Sequence, residues 1–298
     1  MARIKLIVTG DMEKAALHKS LKRFFPDKRN NEEVIWDTPR KADCVTSNRL
    51  RPLTGGVSLS RPMIELAKAM LAEVSAGKNG QAADLVIVVD DVELGNLEQE
   101  VVIAEHFCAA VNQVIACRKH DSKTEARLRG EIQQKCSFHL LKPMVEAYLF
   151  GDPAALELAG VPNDIGTAPC LVHPTDVEQF ESNDVLWLPI CKAENAKKQQ
   201  QNKTWWHNER HPKRYLEHLT ERGQQFYEET THGKSALLGL NWFNVPKCQT
   251  DIPIFRSLFE DLADWFDITN PLGGGGEINR NFYPMRSDNR MNLLLRNM

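Results

Sequence analysis

Residues 84–96, with the sequence DLVIVVDDVELGN, decide the fold. Leu85 to Val89 are five consecutive apolar residues, four of them β-branched, and polar residues stand on either side. Such a run is typical of a strand in a parallel sheet, because helices cover both faces of these sheets. In open parallel sheets, ligands bind beyond the carboxyl ends of the strands. The residues that follow this run are therefore the first candidates for a functional site.

Three carboxylates follow the predicted strand within four residues: Asp90, Asp91 and Glu93. Carboxylates this close repel one another unless a cation lies among them. Oxygen-only ligands suit a hard divalent cation such as Mg²⁺ or Mn²⁺. A solvated acidic turn after a core strand explains the same residues, so the metal site is one of two interpretations.

The chain opens with a second apolar run, IKLIV at residues 4–8, followed by a glycine turn and a helical pattern over 12–25. Strand, turn and helix in this order begin an α/β unit. Glu13 lies in the first turn of that helix, where the helix dipole favours a carboxylate. The functional interpretation is that Glu13 faces the carboxylates after the central strand.

The middle of the chain predicts further helices and one more strand. Apolar spacing predicts helices over 61–76, 99–116, 122–135 and 143–150, and a strand over 137–141. The short helix PMVEAYLF carries Glu146 among apolar residues. A carboxylate there is costly unless it is paired, hydrogen-bonded or metal-bound, which makes Glu146 a candidate ligand. His106, in the 99–116 helix, is predicted at the surface or at its boundary.

Residues 37–60 form a long irregular segment with local positive charge from Arg40, Lys41, Arg49 and Arg51. Long loops inside compact domains are often functional, although a flexible, solvated surface loop explains the same composition.

The second half of the chain is richer in loops. We predict an edge strand at 185–188 and helices over 212–219, 234–240 and 254–266. The Gly-rich end reads as a flexible tail or as an arm that docks on a partner. The predicted organisation is an α/β core at 1–160, a loop-rich and helical extension packed on it at 161–270, and a tail at 271–298.

Composition restricts the partners and the compartment. The net charge of −3 provides no global basic field, so nucleic acid binding needs a local patch. The seven cysteines are scattered without a CxxC pair, which argues against a zinc site and fits a reducing cytosol. The apolar segment at the beginning of the sequence is too short for a signal peptide, and we expect no apolar stretch to reach transmembrane length. We therefore expect a cytoplasmic protein with no membrane partner; homo-oligomer formation stays open.

Together these segments resemble the TOPRIM fold, the metal-binding α/β domain shared by topoisomerases, bacterial primases and OLD-family nucleases. VTGDMEKAAL resembles the opening strand, turn and helix, and VVDDVELGN resembles the acidic strand end. HLLKPMVEAYLFGDPAAL resembles the short helix with a central glutamate, and HPKRYLEHL resembles the C-terminal part. The likeness is closest to uncharacterised TOPRIM-like families of prokaryotes, some associated with antiviral defence, and covers about residues 3–266. It implies a Rossmannoid α/β fold with a mostly parallel central sheet flanked by helices and a helical C-terminal extension.

Two residues depart from the family pattern. Thr9 stands where the usual glutamate ends the first strand, and Glu13, one helical turn on, takes over part of that role or leaves the site weakened. Glu93 extends the last carboxylate of the acidic motif by one methylene, and it can still ligate Mg²⁺.

The resemblance implies metal-dependent phosphodiester hydrolysis of nucleic acid, either DNA or RNA, as in an antiviral defence effector. One or two Mg²⁺ or Mn²⁺ ions are then held by Glu13, Asp90, Asp91, Glu93 and Glu146. Lys142 or Lys213 would neutralise the developing charge on the phosphate. The catalytic set that follows is Glu13, Asp91, Glu146, Lys142 and Lys213.

Other functions fit the same residues. The chain has no GxxxxGK[ST] motif, so by analogy with OLD nucleases we expect a separate ATPase partner. The main alternative is a catalytically weakened regulatory or interaction subunit of an ATPase-containing complex, which Thr9 supports. The third hypothesis is a small-molecule phosphohydrolase that uses the same acidic cluster.

Overall fold

A six-stranded sheet flanked by helices lies at the centre of the protein. The computed structural model describes residues 1–54, 58–75, 80–163, 168–203, 205–245, 253–273 and 293–298. The strands are β1 (Ala2–Val8), β2 (Lys28–Arg29), β3 (Glu32–Trp36), β4 (Arg40–Lys41), β5 (Leu85–Asp91) and β6 (Cys136–Leu141).

Ten helices occur in the described ranges. They are α1 (Asp11–Lys22), α2 (Arg61–Val74), α3 (Glu100–Cys117), α4 (Ser122–Lys135), α5 (Glu146–Leu149), α6 (Pro153–Leu158), α7 (Leu188–Gln200), α8 (Pro212–Arg222), α9 (Lys234–Gly239) and α10 (Pro253–Phe266). The prediction of a mixed α/β protein with a mostly parallel sheet is confirmed.

The strand order is β2-β3-β1-β5-β6, with β4 paired beside the end of β1. Every pair is parallel except β2 with β3. Ile4 of β1 pairs with Leu85 of β5, and Val8 pairs with Val89. The two central strands therefore end side by side, and the residues that follow them meet at one edge of the sheet.

Alternation along β5 separates its side chains between two hydrophobic layers. Ile87 and Val89 pack on the face covered by α1, α5, α8, α9 and α10, here called the first face. Val86 and Val88 pack on the second face, covered by α2, α3 and α4. Because successive side chains of a strand point to opposite faces, Asp90 continues toward the second face and Asp91 toward the first.

The edge strand predicted at 185–188 is wrong. The chain there turns into α7, and the Leu188 amide donates to the Asp184 carbonyl at 2.9 Å. The Asp184 carboxylate accepts from the Leu186 amide, from the Tyr215 hydroxyl and from Arg222. The contacts of Tyr215 and Arg222, both from α8, stabilise the start of a helix here, whereas the aliphatic side chains of 185–188 alone favour a strand.

His106 is buried, contrary to the prediction that it lies at the surface or its boundary. Only 3% of it is exposed, and its Nε2 lies 2.7 Å from the Arg51 carbonyl oxygen. The 37–60 segment folds over α3 at this point. Helical spacing in the sequence could not predict this burial, because the residues that cover His106 come from a loop distant in sequence.

Helix α3 is long and apolar enough to cross a membrane by length and composition, with a mean hydropathy of 1.3. The expectation that no apolar stretch reaches that length is wrong by this measure. In the described structure 44% of the helix is buried, and it packs against α2 and the second face of the sheet. Core helices of soluble proteins also pass this test, so α3 is weak evidence for a membrane, and the absence of a membrane partner stays a prediction.

Most of the predicted flexible tail, 271–298, lies outside the described residues. Residues 293–298 are described, and they lie along β6. The Arg296 amide donates to the Cys136 carbonyl at 2.7 Å, and the Asn297 side chain bonds both the amide and the carbonyl of Phe138. Leu295 is fully buried. The last residues of the chain are thus held against the edge of the sheet.

Candidate functional site

A cleft of about 540 Å³ opens at the carboxyl ends of β1 and β5. Carboxylates dominate its wall, and three basic side chains of α8 and its N-cap face them. The acidic residues are Glu13, Asp91, Glu93, Glu146, Glu217 and Glu229, and the basic ones are His211, Lys213 and Arg214. Four of the five predicted metal ligands therefore line one cleft.

Asp91 is the last residue of β5 and points into this cleft from the first face. Its Oδ1 is buried and has no hydrogen-bond partner in the described structure. Burial raises the pKa of Asp91 well above its usual range, and the charges of Glu13, Glu93 and Glu146 add to the effect. A buried carboxylate oxygen without a partner is costly, so Asp91 is poised to accept a cation or a proton.

Asp90, the remaining predicted ligand, is not in the cleft wall. Its Oδ1 accepts from Thr9 Oγ1 at 2.5 Å, and its Oδ2 lies 3.4 Å from Thr46 Oγ1. Burial raises the pKa of Asp90 to about 7, although the Thr9 hydrogen bond opposes this. Thr9 thus ties the ends of β1 and β5 together by a hydroxyl donor, where a glutamate would add a further negative charge.

Glu13 reaches the cleft from the first turn of α1. Its carboxylate folds back over Gly10, where an added Cβ would lie only 2.2 Å from Glu13 Oε2. Gly10 is therefore needed for this close approach. Burial and, to a smaller extent, the Glu146 charge together raise the pKa of Glu13 to about 8. The interpretation that Glu13 faces the acidic strand end fits this position.

Glu146 enters the cleft from the start of α5. It is only 4% exposed, and burial raises its pKa to about 7, while the Lys213 charge opposes the rise. Glu13, Asp91 and Glu146 come from three separate parts of the chain. The Glu146 charge raises the pKa of Glu13, and the charges of Glu13 and Glu146 raise the pKa of Asp91. The fold therefore brings together the three acids that the sequence indicated separately.

Glu93 is held in an unusual backbone conformation beside these acids. Its φ is +62° and its ψ is 153°, a region that non-glycine residues rarely adopt. Its amide donates to the Pro143 carbonyl at 2.8 Å, which fixes the acidic turn against the chain that leads to α5. Burial raises the pKa of Glu93, and the Lys213 charge opposes the rise.

The two predicted catalytic lysines have different environments. Lys213 of α8 lies in the cleft, and its ammonium forms an ion pair with Glu229. Burial alone would lower the pKa of Lys213, but Glu229 and Glu146 outweigh it and raise the pKa. Lys142 is outside the cleft wall, with its ammonium 3.0 Å from Glu98 and 2.6 Å from Glu100. Lys213, and not Lys142, is therefore placed to act with the acids.

Sequence reasoning missed three polar residues of the cleft: His211, Glu217 and Glu229. Lys213 and Glu217 are four residues apart on one helix, so their shared face was readable once Lys213 was chosen. Burial lowers the pKa of His211 to about 3, which keeps its imidazole neutral. Glu229 follows a turn after α8, and no local signal indicated its position.

The donor set fits a hard cation. In the described ranges, no three His, Cys, Asp or Glu side chains already stand close enough to hold one ion. The acids of the cleft nevertheless offer only oxygen atoms, which Mg²⁺ and Mn²⁺ prefer. The unpartnered Asp91 Oδ1 and the mutual repulsion of these acids would both be relieved by a bound cation.

Comparison of the chain with protein-family models, with curated proteins and with solved structures gave no significant match. The resemblance to TOPRIM domains therefore rests on the motifs of this sequence.

Proposed function

We propose that the protein is a metal-dependent nuclease of the TOPRIM type. The observation that carries the proposal is the convergence of Glu13, Asp91 and Glu146 in one buried cleft with an unpartnered carboxylate oxygen. A protein gains no stability from three buried acids that repel one another, so a cation-dependent role accounts for them better than a structural one.

Asp91, Glu13 and Glu146 would hold the metal, with Glu93 at the rim of the same wall. Bound Mg²⁺ or Mn²⁺ supplies polarisation of the scissile phosphate and lowers the pKa of an attacking water. The pKa values of Glu13 and Glu146 without a metal are about 8 and about 7, so a bound cation would displace their protons, and either carboxylate, if it leaves the metal, would suit a general base at neutral pH.

Lys213 would neutralise charge that develops on the phosphate, because its ammonium faces the acids from α8. Asp90 has a positioning role in this proposal. Its hydrogen bond from Thr9 fixes the relative position of the two strand ends that carry the acidic turn and the Gly10 turn.

The parallel sheet, the glycine turn before α1 and the acidic end of β5 support a TOPRIM-like Rossmannoid fold as part of the proposal. By the same resemblance we propose a role as an effector in antiviral defence in the cytoplasm, with DNA or RNA as the substrate. A separate ATPase partner belongs to this proposal by analogy.

The second candidate is a regulatory or interaction subunit with weakened catalysis. One observation favours it: Asp90 is turned away from the cleft and bonded to Thr9, so one expected metal ligand is already used inside the protein.

The deciding experiment is cleavage of fluorescent single-stranded DNA, duplex DNA and RNA by the purified protein with Mn²⁺. We expect cleavage of at least one substrate, and its loss in Asp91→Asn. Glu105→Gln is the matched control, because Glu105 is an exposed acid of α3 outside the cleft wall. Equal cleavage by Asp91→Asn would exclude this site.

Two other outcomes select the alternatives. Mn²⁺ binding that depends on Asp91, without cleavage of any polymer even with a reconstituted ATPase partner, would favour the regulatory subunit. Hydrolysis of nucleotides but not of polymers would favour the small-molecule phosphohydrolase.

A further inference from the structure

Residues 44–54 form an exposed loop whose backbone is held by a fully buried side chain. Asn96 accepts from the Leu50 amide at 2.7 Å and donates to the carbonyls of Thr46 and Asn48 at 2.6 and 3.1 Å. All three bonds go to this loop. The side chain of Asn96 thus replaces the strand neighbour that the loop backbone lacks.

Two more side chains of the α3 region hold the same loop. His106 Nε2 lies 2.7 Å from the Arg51 carbonyl oxygen. The Gln99 amide, oriented so that its nitrogen faces the Leu50 carbonyl, donates to it at 2.9 Å and accepts from Arg49 Nε at 3.0 Å. The loop therefore has a fixed backbone, although it lies on the surface.

The side chains presented by this fixed backbone are those that bind phosphate. Ser47, Asn48, Arg49 and Arg51 are exposed. Ordering such a loop before binding removes an entropy cost from the binding step. The arrangement is what a preordered anion-binding surface requires.

The guanidinium groups of Arg49 and Arg51 form no ion pair within the described residues. Their neighbours differ: Arg40 pairs with Glu73 at 3.1 Å and Lys41 pairs with Asp11 at 2.6 Å. Gln99 is neutral, so the bonds that it accepts from Arg49 Nε and Nη2 do not compensate the positive charge of the loop, which is available to a partner.

The loop adjoins the acidic cleft. Cys44 lines the cleft, and Thr46 Oγ1 donates to the Asp91 carbonyl at 2.6 Å. Val45 and Leu50 pack on the second face of the sheet, whereas α8, which carries Lys213, packs on the first face. Cationic side chains thus flank the acidic end of the sheet from both faces.

We propose that the 44–54 loop is a preordered binding surface for the phosphate backbone of a nucleic acid strand, which it holds across the acidic cleft. The inference rests on the proposed function and names how its substrate is held. Arg49 and Arg51 contact phosphates on one side of the scissile bond, and the α8 cations serve the other side. The contacts are to the backbone, so they carry no sequence preference.

The test measures binding of a fluorescent oligonucleotide by anisotropy in EDTA, where no cleavage occurs, over a range of salt concentrations. The double variant Arg49→Gln/Arg51→Gln should bind at least about 10-fold more weakly, and the slope of log K against log salt should fall by about 1.5 to 2, one phosphate contact for each arginine. The control Arg118→Gln/Arg127→Gln removes two exposed arginines elsewhere and should change neither quantity.

A second variant separates the effect of the fixed loop backbone on binding from the effect of the loop's positive charge. His106→Phe removes the contact to the Arg51 carbonyl and leaves every arginine in place. We expect binding to weaken about 3-fold to 10-fold with an unchanged salt slope, because only the preordering is lost. Faster amide hydrogen exchange at 48–51, with the thermal midpoint measured beside it, would locate the effect in the loop.

Hydrolysis of bis(p-nitrophenyl) phosphate distinguishes this proposal from the proposed function. The double arginine variant should lose oligonucleotide cleavage and keep hydrolysis of this small diester. If it binds and cleaves oligonucleotides as the wild type does, the loop proposal is wrong and the nuclease proposal stands. If the wild type neither binds an oligonucleotide nor hydrolyses either substrate, both proposals are wrong.

Discussion

Two regions of this protein bury carboxylates in opposite ways. In the acidic cleft, Glu13, Asp91 and Glu146 share one wall, and burial raises the pKa of each. On α10, burial would also raise the pKa of Asp261, but the hydrogen bond from His139 and the charge of Arg296 outweigh it and lower that pKa. In the cleft, the Lys213 charge and the backbone hydrogen bonds do not outweigh burial, whereas the partners of Asp261 do.

Glu178 shows a third way to bury an acid. Burial raises its pKa to about 8, yet it accepts hydrogen bonds from the Tyr148 hydroxyl and from the amides of Ile254 and Phe255 at the start of α10. Glu178 and Asp261 therefore have local structural explanations. In the cleft, Asp91 Oδ1 has no partner among the described residues, and the backbone hydrogen bonds of Glu13 and Glu146 and the Lys213 charge do not offset burial; this difference is the reason to assign the function to the cleft.

The largest expected effect is on catalysis. Asp91→Ala and Glu146→Ala should each reduce Mn²⁺-dependent cleavage by at least about 10³-fold, and the double variant should be no worse, because members of one catalytic unit are not additive. The measurement is single-turnover cleavage of a labelled oligonucleotide. Cleavage that survives Glu146→Ala in a folded protein would make Glu146 structural, like Glu178.

The next effect has opposite signs in the two regions. Asp261→Ala should lower the free energy of unfolding by about 3 kcal/mol, because it removes the partner of the buried His139 side chain and one of the two acids that pair with Arg296. Asp91→Asn should raise it by about 1 kcal/mol in EDTA at a pH of about 9, where the neighbouring acids are ionised, because it removes a charge from a repelling cluster. Urea unfolding checks both. A loss of stability in Asp91→Asn would mean that the cleft acids support the fold.

Metal binding should act on the cleft alone. At a Mn²⁺ concentration of about 100 Kd, mass action should stabilise the folded protein by about 2.7 kcal/mol. The accompanying rise of the thermal midpoint should vanish in Asp91→Ala and persist in Asp261→Ala. An equal rise in wild type and Asp91→Ala would place the bound ion elsewhere.

A further effect is the dependence of the stability on pH. In EDTA the free energy of unfolding should fall by at least about 1.4 kcal/mol, the equivalent of one pKa unit, as pH rises from 4.5 to 8. The pKa of Glu13 is raised from 4.5 to about 8, so the folded protein binds more protons than the unfolded chain in this window. Glu13→Gln should flatten the slope.

Asp261 should have the reverse dependence. Its pKa is lowered in the folded protein, so its contribution to stability is complete above the pKa of the unfolded chain and is lost as pH falls. Unfolding of Asp261→Asn below pH 4 should therefore depend less on pH than that of the wild type. An unchanged acid limb would show that other carboxylates govern acid unfolding.

The sequence by itself determined the central strands, most helices and the carboxylates of the candidate metal site. The unbroken apolar run of β5 and the run of β1, interrupted only by Lys5, predicted both strands, because such runs are typical of strands covered on both faces. Glu146 stood out as an acid among apolar neighbours. The turn into α7 and the burial of His106 escaped prediction, since both depend on contacts with distant segments.

Only the tertiary structure decided which of the candidate residues line the cleft. Side chains alternate along β5, so adjacent Asp90 and Asp91 point to opposite faces, and only Asp91 lines the cleft. Lys213 belongs to the candidate site because its ammonium group pairs with Glu229, a carboxylate of the cleft. Lys142 does not, because its ammonium group pairs with Glu100 outside the cleft wall. Local spacing specifies which residues an element carries, whereas the partners of a buried charge come from elements distant in sequence, and those partners set whether the charge is compensated.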